Sequence, residues 1–190
     1  MAVTPERMTL AEFLKLPEVK PALELRNGVV SQKAWTGGPR SALQIWIGSK
    51  FYEHAELAEV AQSFLNLRVL LDEDSYVLHV VVYLWDRIPE DDNGNLPVYP
   101  STPPDLIVEV MAPDRPLDAE INRCRELIAH GVCVAILINP QSRTVYTARP
   151  DDVVVSYGAG DAIDLSDVVP GFQIALDRLF LRLRARPPAC

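Results

Sequence analysis

The sequence predicts a single α/β domain spanning residues 1–190, with a mixed central sheet flanked by helices. Three observations predict it. Segments with helix-capping signals alternate with short β-like runs bounded by turn residues. The chain has 190 residues, 48% of them hydrophobic, which suits one full core. The run Leu106–Met111 reads as a short buried strand interrupted by one carboxylate, Glu109.

Thr9-Leu10-Ala11-Glu12 is a capping box, with Thr9 as N-cap and Glu12 at N3; it opens a short helix that stops before Pro17. Residues 22–26 and 29–32 predict a tight hairpin, because Asn27-Gly28 supplies the positive φ angles of a type I′ turn. Gly37-Gly38-Pro39 is a loop, and Ser41 to about Ala58 reads as a helix carrying Leu43, Ile45, Trp46, Ile47 and Phe51. Strands follow near 64–71 and 76–84, joined by the acidic turn Asp72-Glu73-Asp74. Residues 90–95 form a polar loop that superficially resembles a calcium loop. It lacks a Glu at the twelfth position, where Thr102 stands, so it is read as a turn.

In the 106–111 strand, alternation puts Ile107, Glu109 and Met111 on one face and Leu106, Val108 and Val110 on the other. Pro116 takes the first turn of the next helix and Gly131 its C′ position, with Leu117, Ile121, Cys124 and Ile128 as the apolar stripe. Residues 132–138, 144–147 and 153–156 are β-like. Asp177 to about Leu183 is a terminal helix, followed by a frayed tail.

The net charge is −8, unevenly spread: +3 over residues 1–50, −12 over 51–120 and +1 over 121–190. This weakens a simple nucleic-acid reading while allowing a local basic face, since all four lysines lie in the first fifty residues. Scattered solubility charge is the alternative. Cys124, Cys133 and Cys190 form no CxxC pair, which fits a reducing cytoplasm and argues against a zinc site or a disulfide framework. No 18-residue apolar stretch and no signal-peptide core are present, so the expectation is a cytoplasmic protein without membrane attachment.

Glu109 is the first candidate functional residue. A buried, unpaired carboxylate costs several kcal/mol, on the order expected for lost hydration, so it needs a cation, a partner or a raised pKa. An apolar strand bearing one acid and ending in a loop suits a metal ligand; an edge Glu facing water is the alternative. The tryptophans Trp35, Trp46 and Trp85 read as packing residues rather than base-stacking ones.

Taken together, the segments Thr9–Leu14, Glu24–Gly28, Tyr76–Leu84, Trp85–Pro89, Pro104–Val110, the helix ending at Gly131 and Ile138-Asn139-Pro140 resemble the Uma-type family of bacterial endonucleases, in the PD-(D/E)XK superfamily. The resemblance runs from about Thr9 to Phe180 and implies a restriction-endonuclease-like fold. It also implies a metal-dependent DNA endonuclease using Mg²⁺ or Mn²⁺, and a homodimer as the default for cutting two strands. Glu24 and Glu109 match two acids of the family site. The family's Pro-Asp pair falls on Leu78-His79, so His79 stands where the metal-binding Asp is expected. The helix lysine falls on or beside Arg123, with Asn122 the neighbouring alternative. Met111 stands where a conventional E-x-K motif carries lysine.

These departures change the expected chemistry. Histidine removes a charge and a hard oxygen ligand, which disfavours Mg²⁺ relative to Mn²⁺. Arginine cannot act as a base but can stabilise an oxyanion. The resemblance thus implies Glu24, His79, Glu109 and Arg123 as catalytic residues, with His79 and Glu109 as metal ligands, all converging at one part of the sheet. Lys33, Arg40 and Lys50 are the leading DNA-contact candidates. The alternatives are a neutral core histidine for His79, a surface acid for Glu24 and an intrahelical pair to Glu120 or Glu126 for Arg123. At the level of function, the rival is a catalytically inactive nuclease fold acting by DNA or protein binding, and a weaker third reading is a small-molecule binding domain.

Overall fold

The computed structural model describes residues 7–34 and 37–185; Trp35, Cys190 and the tail beyond Ala185 lie outside them. An eight-stranded mixed sheet forms the centre, in the order 29–32, 23–26, 74–84, 106–110, 134–139, 144–149 and 153–157, with 61–71 paired to 74–84. A separate ribbon pairs 162–164 with 173–175.

The capping box forms as expected. The Thr9 side chain accepts from Glu12 N–H and the Glu12 carboxylate accepts from Thr9 N–H, opening α1 (Leu10–Phe13). β1 (Leu23–Arg26) and β2 (Val29–Gln32) meet across Asn27 and Gly28, whose φ values are 50° and 76°. Helix α2 (Gly38–Phe51) begins three residues before the expected Ser41, because Pro39 occupies an N-terminal position where a missing N–H costs nothing. It widens into a π-helical turn at Tyr52–Glu56. β3 (Ala61–Leu71) and β4 (Asp74–Leu84) form a hairpin longer than expected at both ends.

β5 (Leu106–Val110) lies antiparallel to β4 and parallel to β6 (Val134–Asn139). The crossover between β5 and β6 is α3 (Leu117–Ala129), with Pro116 as its N-cap and Gly131 at φ 103° beyond its end. β7 (Thr144–Arg149) and β8 (Val153–Tyr157) complete the sheet. α4 (Leu176–Phe180) and a 3₁₀ turn, Leu181–Leu183, close the described chain. The ribbon strands β9 (Ala162–Asp164) and β10 (Gln173–Ala175) were not expected; three residues each are too few to show alternation.

Two apolar layers sandwich the sheet. Leu106, Val108, Val110, Val80 and Val82 pack with Leu43, Ile47 and Phe51 of α2 and with the C-terminal Leu176 and Phe180. Ile107, Met111, Val81, Tyr83 and Leu137 pack with Cys124 and Leu127 of α3. The alternation expected for β5 is therefore observed, and Glu109 belongs to the α3 face. β4 breaks the rule: Tyr76 and Leu78 join the same cluster as Val81 and Tyr83, so alternation slips around His79. Opposite, Asn66 of β3 has a positive φ of 54°. Simple alternation would put His79 on one face with both Val77 and Val81, and the slip breaks that sharing. None of the described helices is long and apolar enough to cross a membrane.

Candidate active site

The site grows from the first hairpin. Its register pairs Glu24 with Ser31, and Lys33 N–H bonds Ala22 C=O, so the pairing runs one step past β2. Glu24 and Lys33 therefore sit diagonally on one face, within reach of a long side chain. The Lys33 ammonium lies 3.9 Å from Glu24 Oε1 and 3.1 Å from Glu109 Oε2. It also donates to Val77 C=O.

β4 and β5 supply the second part. Val80 pairs with Val108 in an antiparallel ladder, which sets His79 beside Glu109. Glu109 Oε1 accepts from His79 N–H at 2.8 Å. His79 Nδ1 accepts from Val110 N–H at 3.1 Å, which requires a lone pair on Nδ1 and puts the ring proton on Nε2. The 3.3 Å approach of Nδ1 to Glu109 Oε2 is then a contact and not an ion pair. His79 Nε2 is buried without a hydrogen-bond partner among the described residues. On the other side of the sheet, Gln44 of α2 donates to His79 C=O at 2.7 Å.

α3 brings the third part. Arg123 grips Glu24 in a bidentate pair at 2.9 and 2.7 Å, and its Nε lies 3.8 Å from Glu109 Oε2. Its guanidinium also stacks over Tyr76, 5.2 Å from the ring centroid. Glu24 Oε1 accepts from Val77 N–H at 2.6 Å as well. Asn122 faces outward and accepts from Arg125, so the helix position that enters the site is Arg123.

The electrostatics follow from this packing. Glu24, His79, Glu109 and Arg123 are each 5% exposed or less. Burial pushes the His79 imidazole down to about 3, so it is neutral at pH 7. Burial pushes Glu109 up, but the groups facing it, His79 first and then Lys33 and Arg123, outweigh burial and hold its carboxyl well below the usual carboxylate range. At pH 7, where His79 is neutral, the Lys33 and Arg123 cations and the His79 backbone N–H keep Glu109 ionised. Burial disfavours charge on Arg123, and the two glutamates outweigh it and raise its pKa. Two carboxylates thus face one ammonium and one guanidinium in a self-neutralising cluster.

That arrangement does not fit a resident Mg²⁺. Glu24 and Glu109 are already committed to Arg123, Lys33 and backbone N–H groups. Mg²⁺ demands near-octahedral oxygen coordination. Among the described residues, no three His, Cys, Asp or Glu side chains are placed to hold a metal. The cluster opens on a cavity of about 410 Å³ whose wall also carries Arg26, Arg40, Arg115 and Glu120. Five cationic and three anionic side chains line it, a balance suited to an anionic ligand.

The structure brings together Glu24, His79, Glu109 and Arg123. It corrects the surface reading of Lys33 and Arg40. Lys33 is sequestered between the two glutamates, and Arg40 is 7% exposed, bonding Ala34 C=O and lining the same cavity. Lys50 lies elsewhere on α2, half-buried and paired with Glu53. Among the described residues these three therefore do not share one open face. Lys33 is what sequence reasoning misplaced. The Asn27-Gly28 turn already implied its register with Glu24, and that register was the available signal. Gln44 carried none, because its partners, the His79 C=O and the Asn66 side chain, meet it only in the folded sheet. The 91–95 loop is a turn as read, with Asp91 Oδ1 accepting from Asn93 and Asn95 N–H. Trp46 packs against the core, whereas Trp85 is exposed.

No curated protein matches the chain. Among solved structures, the chain is similar to "a putative nuclease belonging to DUF820" from Anabaena variabilis, at 29% identity and a TM-score of 0.87. The match covers 93% of this chain and 99% of that one. Residues 10–177 match the Uma2 family, described as "Putative restriction endonuclease". With its mixed sheet, its buried carboxylate at the end of β5 and a match over most of its length, this chain belongs to the Uma2 restriction-endonuclease-like family.

Proposed function

We propose that this protein is a DNA-directed nuclease that hydrolyses phosphodiesters in the Glu109 cavity, with a reaction centre altered from a two-carboxylate metal site. The observation that carries this is Lys33, whose ammonium sits 3.1 Å from Glu109 in the wall of a cavity lined by five cationic and three anionic side chains. In this reading Lys33 supplies the positive charge that the family motif assigns to a lysine on the helix. Arg123 and Arg40 add donors for the non-bridging phosphate oxygens. Glu109, ionised well below neutral pH, holds Lys33 and Arg123 in place and is a weak base. Glu24 orients Arg123 through both of its oxygens. Glu109 and Glu24 would be the residues to hold a divalent ion, but both are committed to Lys33 and Arg123, so an ion would compete with those cations, and the nitrogen of His79 would favour Mn²⁺ over Mg²⁺. The same proposal includes a homodimer presenting one cavity to each DNA strand, which sedimentation measures.

One observation favours a second reading, DNA binding without cleavage. The carboxylates are neutralised from within, which leaves charge for gripping phosphate but a weak means of activating water.

The test is cleavage of supercoiled plasmid and labelled oligonucleotides in Mg²⁺, in Mn²⁺ and in chelator, with wild type, Glu109→Gln and Lys33→Met. The expected result is slow nicking, faster in Mn²⁺ and abolished by Glu109→Gln. Salt-dependent binding without cleavage under any condition selects the second reading. Cleavage indifferent to both substitutions places the chemistry outside this cavity.

A further inference from the structure

Beside the phosphate cavity lies a second hollow of about 320 Å³. The two share Arg40 and Ala112 as a common wall. The second differs in character: Met111, Pro113, Pro140 and Leu183 give it apolar walls, and Asn139, Gln141 and Arg143 give it a polar rim. Both lie along one edge of the sheet, where the parallel strands β5 and β6 end at Val110 and Asn139. Ligands of α/β sheets bind in crevices at such carboxyl ends.

We infer that this hollow receives an unpaired nucleobase of the strand whose phosphate lies in the Glu109 cavity. The inference rests on the nuclease reading and narrows its substrate to single-stranded or locally unpaired DNA. Continuity is the first argument, since in a nucleotide the base sits one sugar away from its phosphate and Arg40 borders both spaces. The second is chemical fit. Extruded bases are held between apolar surfaces and read along their Watson–Crick edges by hydrogen bonds. Proline and methionine faces supply such surfaces. Asn139 Oδ1 is occupied by Gln141 and Ser142 N–H, which leaves its amide NH₂ to donate. The Gln141 side chain and the Arg143 guanidinium have no hydrogen-bond partner among the described residues, and both are exposed at the rim. A base in a duplex presents its edge to its partner and cannot enter, so the hollow selects against paired DNA.

The experiment is fluorescence anisotropy at low salt with three probes of equal length: a single strand, its duplex, and a strand of abasic sugar phosphates. Wild type is expected to bind the single strand about tenfold more tightly than the other two, the scale of one stacked base. Leu183→Trp, which fills the hollow, and Gln141→Ala, on an exposed turn that leaves the fold intact, are expected to abolish that preference while abasic binding stays unchanged. Equal binding of the single and abasic strands by wild type overturns the base pocket and leaves the phosphate cavity standing. A preference that survives both substitutions overturns it too. If none of the three probes binds, the nuclease reading falls and the base pocket falls with it.

Discussion

Replacing Lys33 with methionine removes one charge from a cluster in which every charge has a partner. The Lys33 ammonium is 3.1 Å from Glu109 and its side chain is 12% exposed. At an effective dielectric constant of about 20, that separation corresponds to roughly 5 kcal/mol of attraction. Loss of the Val77 hydrogen bond adds to the cost, and methionine packing in the freed space offsets part of it. Removing one partner of a buried pair costs about 3–5 kcal/mol in general, because the other charge remains buried. Arg123, 3.8 Å from Glu109, still compensates in part, so the lower end, about 3 kcal/mol, is the expectation. In a chain of this length that lowers Tm by roughly 6–12 °C. The assay is urea and thermal unfolding of wild type, Lys33→Met, Glu109→Gln and the double variant. The double variant should recover about 2 kcal/mol relative to the sum of the singles, since no charge is then stranded by the missing partner. A Lys33→Met variant within about 0.5 kcal/mol of wild type, or a cycle with no coupling, would refute the buried cluster.

Three further outcomes follow from the same cluster. His79 is neutral in the fold, with its pKa depressed to about 3 from 6.5, so below pH 6.5 the unfolded chain binds the proton more strongly; stability should fall by up to about 1.4 kcal/mol per pH unit down to about pH 3, and His79→Asn should flatten the upper part of that slope in pH-dependent urea unfolding. Glu109, whose carboxyl is also held low, adds to the loss in the same direction as the pH falls below about 4.5, where the unfolded chain takes up the proton first. Lys33→Met with His79→Asp leaves three buried acids facing one guanidinium, so calorimetry should detect Mn²⁺ binding at least tenfold tighter than in wild type; no gain would argue that the cluster geometry, and not Lys33, excludes the ion. Arg123→Lys cannot reproduce the bidentate grip on Glu24 and should cost about 2 kcal/mol by thermal unfolding; an unchanged Tm would show that the fork geometry is dispensable.

Local rules were enough for much of the frame. Asn27-Gly28 specified the first hairpin and Thr9 with Glu12 specified the first helix cap, because both motifs satisfy backbone demands within a few residues. The alternation of β5 put Glu109 on a definite face, whereas the choice between Arg123 and Asn122 was settled only by the folded helix. The slip in β4 at His79 was illegible, since it arises where the pairing with β3 skips Asn66, held at positive φ, and leaves no compositional mark. The partnerships in the site were illegible for a related reason. Arg123 meets Glu24 across 99 residues, and Lys33 meets Glu109 across 76. Periodicity tells which way a side chain points but not what will stand opposite when the sheet closes. The charge states came last of all. His79 is neutral and Glu109 is ionised because burial removes water from both while placing Lys33 and Arg123 beside the acid. Desolvation and Coulomb attraction depend on distances and exposure that exist only in the folded protein.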